Sequence, residues 1–243
     1  MRRRMPFFGG NDLKTSAFLN YFSTAEKVLW SCSVALILSS FLLFDGENWL
    51  ALAASLIGVT SLLFNAKGNP VGQVIGIVFC LIYGFISWQY AYYGEMITYL
   101  GMTMPMAVFA LISWMRNPYN GNKAEVKVNA ISRKETVGMC VGAAAVTAVF
   151  YFILAYFHTA NIVPSTVSVT TSFLAVYLTF RRSPYFALAY AANDLVLIVL
   201  WTLASASDIR YISVVVCFAA FFANDLYGYI NWQKMKVRQA QAC

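Results

Sequence analysis

Two carboxylates in this sequence stand inside long apolar runs, and each occupies the same tetrapeptide: Ala192–Asn193–Asp194–Leu195 and Ala223–Asn224–Asp225–Leu226. A carboxylate near the middle of a membrane helix costs about 2.5–3.5 kcal/mol on insertion scales, so it faces the bundle interior and marks a pathway or a partner. At helical spacing Tyr190, Asn193, Leu197 and Trp201 share the face of Asp194, while Phe218, Phe221, Tyr229 and Trp232 share that of Asp225. Aromatic faces beside acids and amides suit a ligand with a flat, positively charged ring, which the rings stack on and the acid neutralises. In a third apolar run Tyr83, Trp88 and Gln89 offer further walls and an amide. The structural alternatives are an ion pair of Asp225 with Arg181, Arg182 or Lys234, a protonated Asp194 bonded to an Asn, and simple packing for Tyr83 and Trp88. No basic residue lies at the depth of Asp194 in any run.

Other chemistry is hard to assemble. Cys32, Cys80, Cys140, Cys217 and Cys243 are scattered without CxxC or CxxH spacing, which argues against disulfides and metal. The single histidine, His158, sits at the end of a run beside a loop. Hydrolytic triads, zinc motifs and phosphate loops are missing, so neither an enzyme nor a bound cofactor or metal is expected. The net charge of +7 does not point to nucleic acid, because the basic residues fall in the gaps between apolar runs.

The elements that must position the acids follow from hydropathy. Sixty per cent of the residues are hydrophobic and 11 per cent charged, against roughly a quarter charged in a soluble chain. Runs long enough to cross a bilayer cover residues 26–44, 48–64, 71–92, 95–115, 136–157, 164–180, 184–204 and 210–231. The first has no A-x-A site and is followed by Asp45 and Glu47, so it reads as a helix and not a signal peptide. With both termini inside, 16 of the 17 basic residues are cytoplasmic, from Arg2, Arg3, Arg4 and Lys14 to Lys234, Lys236 and Arg238, and only Arg210 is outside. Asp12 is also placed inside; Trp49, Tyr92, Tyr93, Trp114 and Trp232 read as interfacial belts, and residues 116–135 as the one sizeable cytoplasmic loop. Gly72 and Gly76 form a GxxxG that permits close helix contact.

An internal repeat is visible. Asn65–Ala66–Lys67–Gly68–Asn69–Pro70 parallels Thr179–Phe180–Arg181–Arg182–Ser183–Pro184 at an offset of 114, and Ile112–Ser113–Trp114–Met115–Arg116 parallels Ile230–Asn231–Trp232–Gln233–Lys234. Helices two to four and six to eight then form parallel three-helix units joined by helix five. A substrate site between such repeats near the midplane is an established transporter plan.

Over residues 48–236 the chain resembles the PnuC-type vitamin transporters. The resemblance rests on the proline-opened helices after Lys67 and Arg181–Arg182, on Asn193, and on Asp225–Leu226–Tyr227–Gly228–Tyr229–Ile230–Asn231–Trp232, which is similar to the family's N-x-Y-G-x-x-x-W with Asp for Asn. It departs at Ala189, where the family often has Trp, and at Ala107, where the first repeat lacks the Asn. The resemblance implies an all-α membrane protein of eight transmembrane helices: one N-terminal extra helix and a 3+1+3 core like that of SWEET sugar transporters. The expected organisation is a cytoplasmic segment 1–25, a membrane domain 26–232 (repeat one 48–116, linker helix 136–157, repeat two 161–232) and a tail 233–243. It further implies nicotinamide riboside as substrate, with thiamine, riboflavin or deoxynucleosides in sister groups. Facilitated diffusion, trapping by a cytoplasmic kinase, a homotrimer and a bacterial inner-membrane location are implied too. Expected substrate-binding residues are Asn193, Asp194, Trp201, Tyr190, Asn224, Asp225, Tyr227, Trp88, Gln89 and Tyr83. A proton-coupled carrier using Asp194 or Asp225 is the alternative.

Overall fold

The structure, a computed structural model, describes residues 21–89, 93–159 and 161–242. The expectations for Arg2, Arg3, Arg4, Asp12, Lys14, Tyr92 and Cys243 lie outside the described residues. Among the described residues eight helices are long and apolar enough to cross a membrane: α1 Thr24–Phe44, α2 Trp49–Ala66, α3 Val71–Gln89, α4 Tyr93–Arg116, α5 Arg133–Tyr156, α6 Ile162–Phe180, α7 Phe186–Ser205 and α8, whose apolar stretch begins in a short 3-10 turn, Ile209–Tyr211, and continues through Ile212–Gln241. All eight match the apolar runs of the sequence. The chain is a multi-pass membrane protein.

The paired motifs of the sequence make matching contacts. The Trp114 indole N–H donates to the carbonyl of Thr179 and that of Trp232 to the carbonyl of Asn65, both at 2.8 Å. One residue earlier, the Ser113 hydroxyl donates to Phe180 O and the Asn231 amide to Ala66 O. Each bond reaches a carbonyl in the last turn of a helix, where intrahelical donors run out; Asn65 O and Thr179 O also accept from Gly68 N–H and Arg182 N–H. Past those ends Gly68 and Arg182 both take left-handed φ, +66° and +56°, and the amides of Asn69 and Ser183 bond back to Phe64 O and Leu178 O. Glycine adopts this cap geometry freely. Arg182 holds it under a second restraint, because its carbonyl accepts from Asn129 N–H as that of Gly68 accepts from Val126 N–H. Burial, with Arg181 alongside, also pulls the Arg182 guanidinium below its ordinary value.

Helices α1 and α5 match as well. Ser23 and Ser132 cap them by accepting from the Glu26 and Glu135 amides. Those glutamates bind the basic residue that ends the next helix, Glu26 with Lys67 at 3.2 Å and Glu135 with Arg181. α1 thus stands to α2 as α5 stands to α6.

Three features differ from the sequence reading. Trp114 and Trp232 are not interfacial; they are fully buried, 5.4 Å apart, and pack with Phe186 into a closed cluster at this end of the bundle. A helix-end carbonyl facing each indole N–H explains how two such polar rings come to be buried. Residues 118–126 are not plain loop: Pro118–Tyr119 (β1) pairs antiparallel with Asn122–Val126 (β2). The turn is Asn120–Gly121, both left-handed, as tight hairpins require. Third, Thr98–Thr103 within α4 is a π-helical turn, where Pro105 has no N–H to give to the carbonyl four residues back. By contrast Trp49 and Tyr93 are exposed at helix ends, as expected of a membrane interface. Gly72 lies against α2 so closely that a Cβ there would meet Asn65 Oδ1 at 2.3 Å.

Candidate functional site

The interior holds two cavities in line. The central one is lined by Ser61 and Asn65 of α2, Gln73 and Cys80 of α3, Tyr99, Thr103 and Ala107 of α4, Ser172 of α6, Tyr190, Asn193 and Asp194 of α7, and Asp225 of α8. The outer one opens toward the end opposite the hairpin and is lined by Asp45, Asn48, Tyr83, Trp201, Asp208, Arg210 and Tyr211. Phe79, Phe218 and Phe221 line both and form the partition, with Phe221 centred 6.1 Å from Phe79 and 5.7 Å from Phe218. Gly58 makes this possible: a Cβ there would sit 2.4 Å from Phe221 Cζ.

The central cavity is pre-organised by hydrogen bonds. Asn193 Oδ1 accepts from Thr171 at 2.7 Å and Ser172 at 3.1 Å, which fixes the amide against α6. Asn65 Oδ1 accepts from Gln73 at 2.8 Å, Asn65 in turn donates to Ser61, and Ser61 donates to Gly72 O, so α2 and α3 share one polar chain. The π turn of α4 brings Tyr99 and Thr103 to the cavity together; such turns recur at functional sites. Asp194 and Asp225 are both 4% exposed and their carboxyls are neighbours. Asp194 Oδ2 has no hydrogen-bond partner among the described residues. At the outer mouth Arg210 grips Asp208 with a bidentate fork, whose hydrogen bonds hold that carboxyl below its usual range, while burial pushes Asp45 up.

Of the residues expected to bind substrate, Tyr190, Asn193, Asp194 and Asp225 line the central cavity. Tyr83 and Trp201 line the outer one, beyond the phenylalanine partition. The others point elsewhere. Asn224 donates to Ser33 of α1 and to Ala220 O, and the Tyr227 hydroxyl donates to Glu26 of α1. Successive residues of α8 are about 100° apart, so Asp225 faces inward while its neighbours meet α1. Trp88 is 57% exposed against Phe85, and Gln89 is exposed at the end of α3. The ion pair considered for Asp225 does not form with Arg181, which is bound to Glu135. Ser61, Asn65, Gln73, Tyr99, Thr103 and Ser172 escaped the sequence reading. Asn65 and Gln73, polar residues flanking the conspicuous turn at Pro70, carried the one usable signal.

The sequence model of a family described as nicotinamide mononucleotide transporter matches residues 48–234. The chain belongs to this family. Two curated relatives are named nicotinamide riboside transporter PnuC. That of Neisseria mucosa is 26% identical over 224 residues, 89% of this chain and 84% of the relative. That of Haemophilus influenzae is 24% identical over 193 residues, 79% and 82% of the two chains. A solved structure titled as the crystal structure of the vitamin B3 transporter PnuC superposes with a TM-score of 0.78 at 22% identity, covering 90% of this chain and 94% of that one. The PnuC family thus carries this fold across the whole helical bundle.

Proposed function

We propose that this PnuC family protein imports nicotinamide riboside by facilitated diffusion. The central cavity supports the reading most directly: a space at the depth of Asp194, walled by tyrosines and amides, with two acids and no basic side chain. A pyridinium ring would stack on Tyr99 or Tyr190 and its charge would be met by Asp194 and Asp225. Ribose hydroxyls would bond to Asn193, Asn65 and Gln73. The names carried by the relatives, and the match of the family to residues 48–234, point the same way.

In this reading both termini are cytoplasmic in a bacterial inner membrane, the hairpin end is inside, and the outer cavity receives substrate. Segment 1–25 and tail 233–243 are then cytoplasmic, and a 3+1+3 parallel-repeat core alternates access by rocking, as in SWEET transporters. The reciprocal indole bonds and the paired capping of α1 and α5 support the parallel repeat. A cytoplasmic kinase traps the substrate, and the assembly is a homotrimer. Titration calorimetry with nicotinamide riboside, thiamine and riboflavin tests substrate choice. Binding of nicotinamide riboside alone is expected; binding of thiamine instead would move the protein to a sister specificity, and binding of none would overturn the transporter reading.

A further inference from the structure

Two amides that line the central cavity have their orientation dictated by the helices behind them. Gly72 O is a backbone carbonyl and can only accept, so the Ser61 hydroxyl that reaches it at 2.8 Å spends its one proton there. Toward Asn65, Ser61 can then only accept, which turns Asn65 Nδ2 to it at 3.3 Å and Oδ1 away. That oxygen lies 2.8 Å from Gln73, so Gln73 donates to it through Nε2 and keeps Oε1 in reserve. Close helix contact makes the relay possible: a Cβ at Gly72 would meet Asn65 Oδ1 at 2.3 Å, and one at Gly76 would stand 3.3 Å from Ser61 Oγ. Across the cavity, Asn193 of α7 meets two hydroxyls of α6. The Thr171 contact, at 2.7 Å, has the spacing of an O–H···O bond and is shorter than the 3.1 Å from Thr171 to Val167 O and Ser168 O. Ser172 donates to the same Oδ1 at 3.1 Å, which leaves Asn193 its Nδ2. Gln73 and Asn193 are each 5% exposed. Among the described residues Gln73 Oε1 accepts no hydrogen bond and Asn193 Nδ2 donates none, and neither atom is sealed off by protein.

We propose that Ser61 and Ser172 are positioning residues that give the central cavity a fixed hydrogen-bond polarity, with an acceptor at Gln73 on α3 and a donor at Asn193 on α7. The ligand that fits offers an O–H or N–H to Gln73 and an oxygen lone pair to Asn193, as the hydroxyls of a ribose do. An oxygen without a proton at the Gln73 end would meet lone pairs and leave a buried acceptor unpaired, which is costly. A ligand with its hydroxyls removed would leave both amides unpaired. Neither amide titrates or carries charge, so this recognition asks for no coupled ion and is in keeping with facilitated diffusion. The inference rests on the transporter reading above and deepens it by naming what the site demands of its ligand.

The test is calorimetry of the purified full-length protein with nicotinamide riboside and with its 2′,3′-dideoxy analogue, in the native chain, Ser61→Ala, Gln73→Met and the double variant. Ser61→Ala should raise the Kd of nicotinamide riboside about two- to tenfold, the loss of one hydrogen bond. It should add nothing in the Gln73→Met background and nothing with the dideoxy analogue. A Ser61 that merely held α2 to α3 would weaken both ligands alike, with or without Gln73. The α6 side is an independent arm that does not need the Gln73 variant to fold: Ser172→Ala should weaken nicotinamide riboside and add nothing to Asn193→Ala. Additive losses in both cycles, or equal losses for the two ligands, would overturn the fixed polarity and leave the transporter reading standing. Binding of riboflavin or thiamine in place of nicotinamide riboside would overturn the ribose assignment while keeping a vitamin carrier. No binding of any of them by the native chain would overturn both.

Discussion

Asp194 is the residue whose burial is hardest to explain by packing alone, since an orphaned carboxylate oxygen inside a bundle is destabilising. A bound cation removes that penalty. Asp194→Asn is therefore expected to weaken nicotinamide riboside binding by about 1.5–3 kcal/mol, the range for hydrogen bonds to charged groups, read as a rise in Kd by calorimetry. Unchanged affinity in a folded variant would remove Asp194 from the site. Gly58 makes a second residue-scale case. Gly58→Ala forces a methyl against the Phe221 ring and should lower stability by about 1–3 kcal/mol, the range for overpacking. Combining it with Phe221→Leu should recover most of the loss in thermal unfolding; a double variant no better than the single would show that the ring is not what fills the space. Neither Gly58 nor the partition could be read from the sequence, because the contact joins residues 58 and 221, on helices whose mutual rotation periodicity leaves open.

The indole-to-carbonyl bonds belong to whole elements, because one ties α4 to α6 and the other ties α8 to α2. Trp114→Phe and Trp232→Phe each remove one hydrogen bond to a helix-end carbonyl that still accepts from a backbone amide, Arg182 N–H on Thr179 O and Gly68 N–H on Asn65 O, at about 0.5–1.5 kcal/mol. Matching geometry predicts similar losses for the two, measured by unfolding in detergent; a large loss for one and none for the other would argue against equivalent roles. Within the same elements Glu26→Gln should destabilise by about 1–3 kcal/mol, since Lys67 loses its partner in a part-buried setting. If melting were unchanged, α1 would be a passive attachment to the core. The helices themselves were legible from hydropathy, and the turns at Pro70 and Pro184 from local motif. The kinship of α1 and α5 was present as Ser23-Thr-Ala-Glu26 and Ser132-Arg-Lys-Glu135, but two short Ser-x-x-Glu motifs far apart gain meaning only when their glutamates are seen on Lys67 and Arg181.

For the molecule as a whole, charge distribution predicts orientation. A single cysteine at Asn122, in a background freed of the native cysteines, should react with a membrane-impermeant thiol reagent in inverted vesicles and resist it in intact cells. The reverse pattern would invert the topology. Hydropathy and charge determined that this chain lies in a membrane and how many helices it sends across, because lipid imposes length and hydropathy on every crossing segment. The one-dimensional pattern also exposed Asp194 and Asp225, since charge in an apolar run is conspicuous wherever it falls. Which faces meet was decided only by tertiary packing. It set Asp225 inward and Asn224 and Tyr227 against α1, moved Trp201 and Tyr83 beyond the aromatic partition, and left Trp88 at the surface. In lipid an outward face may be as apolar as an inward one, so hydropathy marks the helix and leaves its rotation to the contacts it makes.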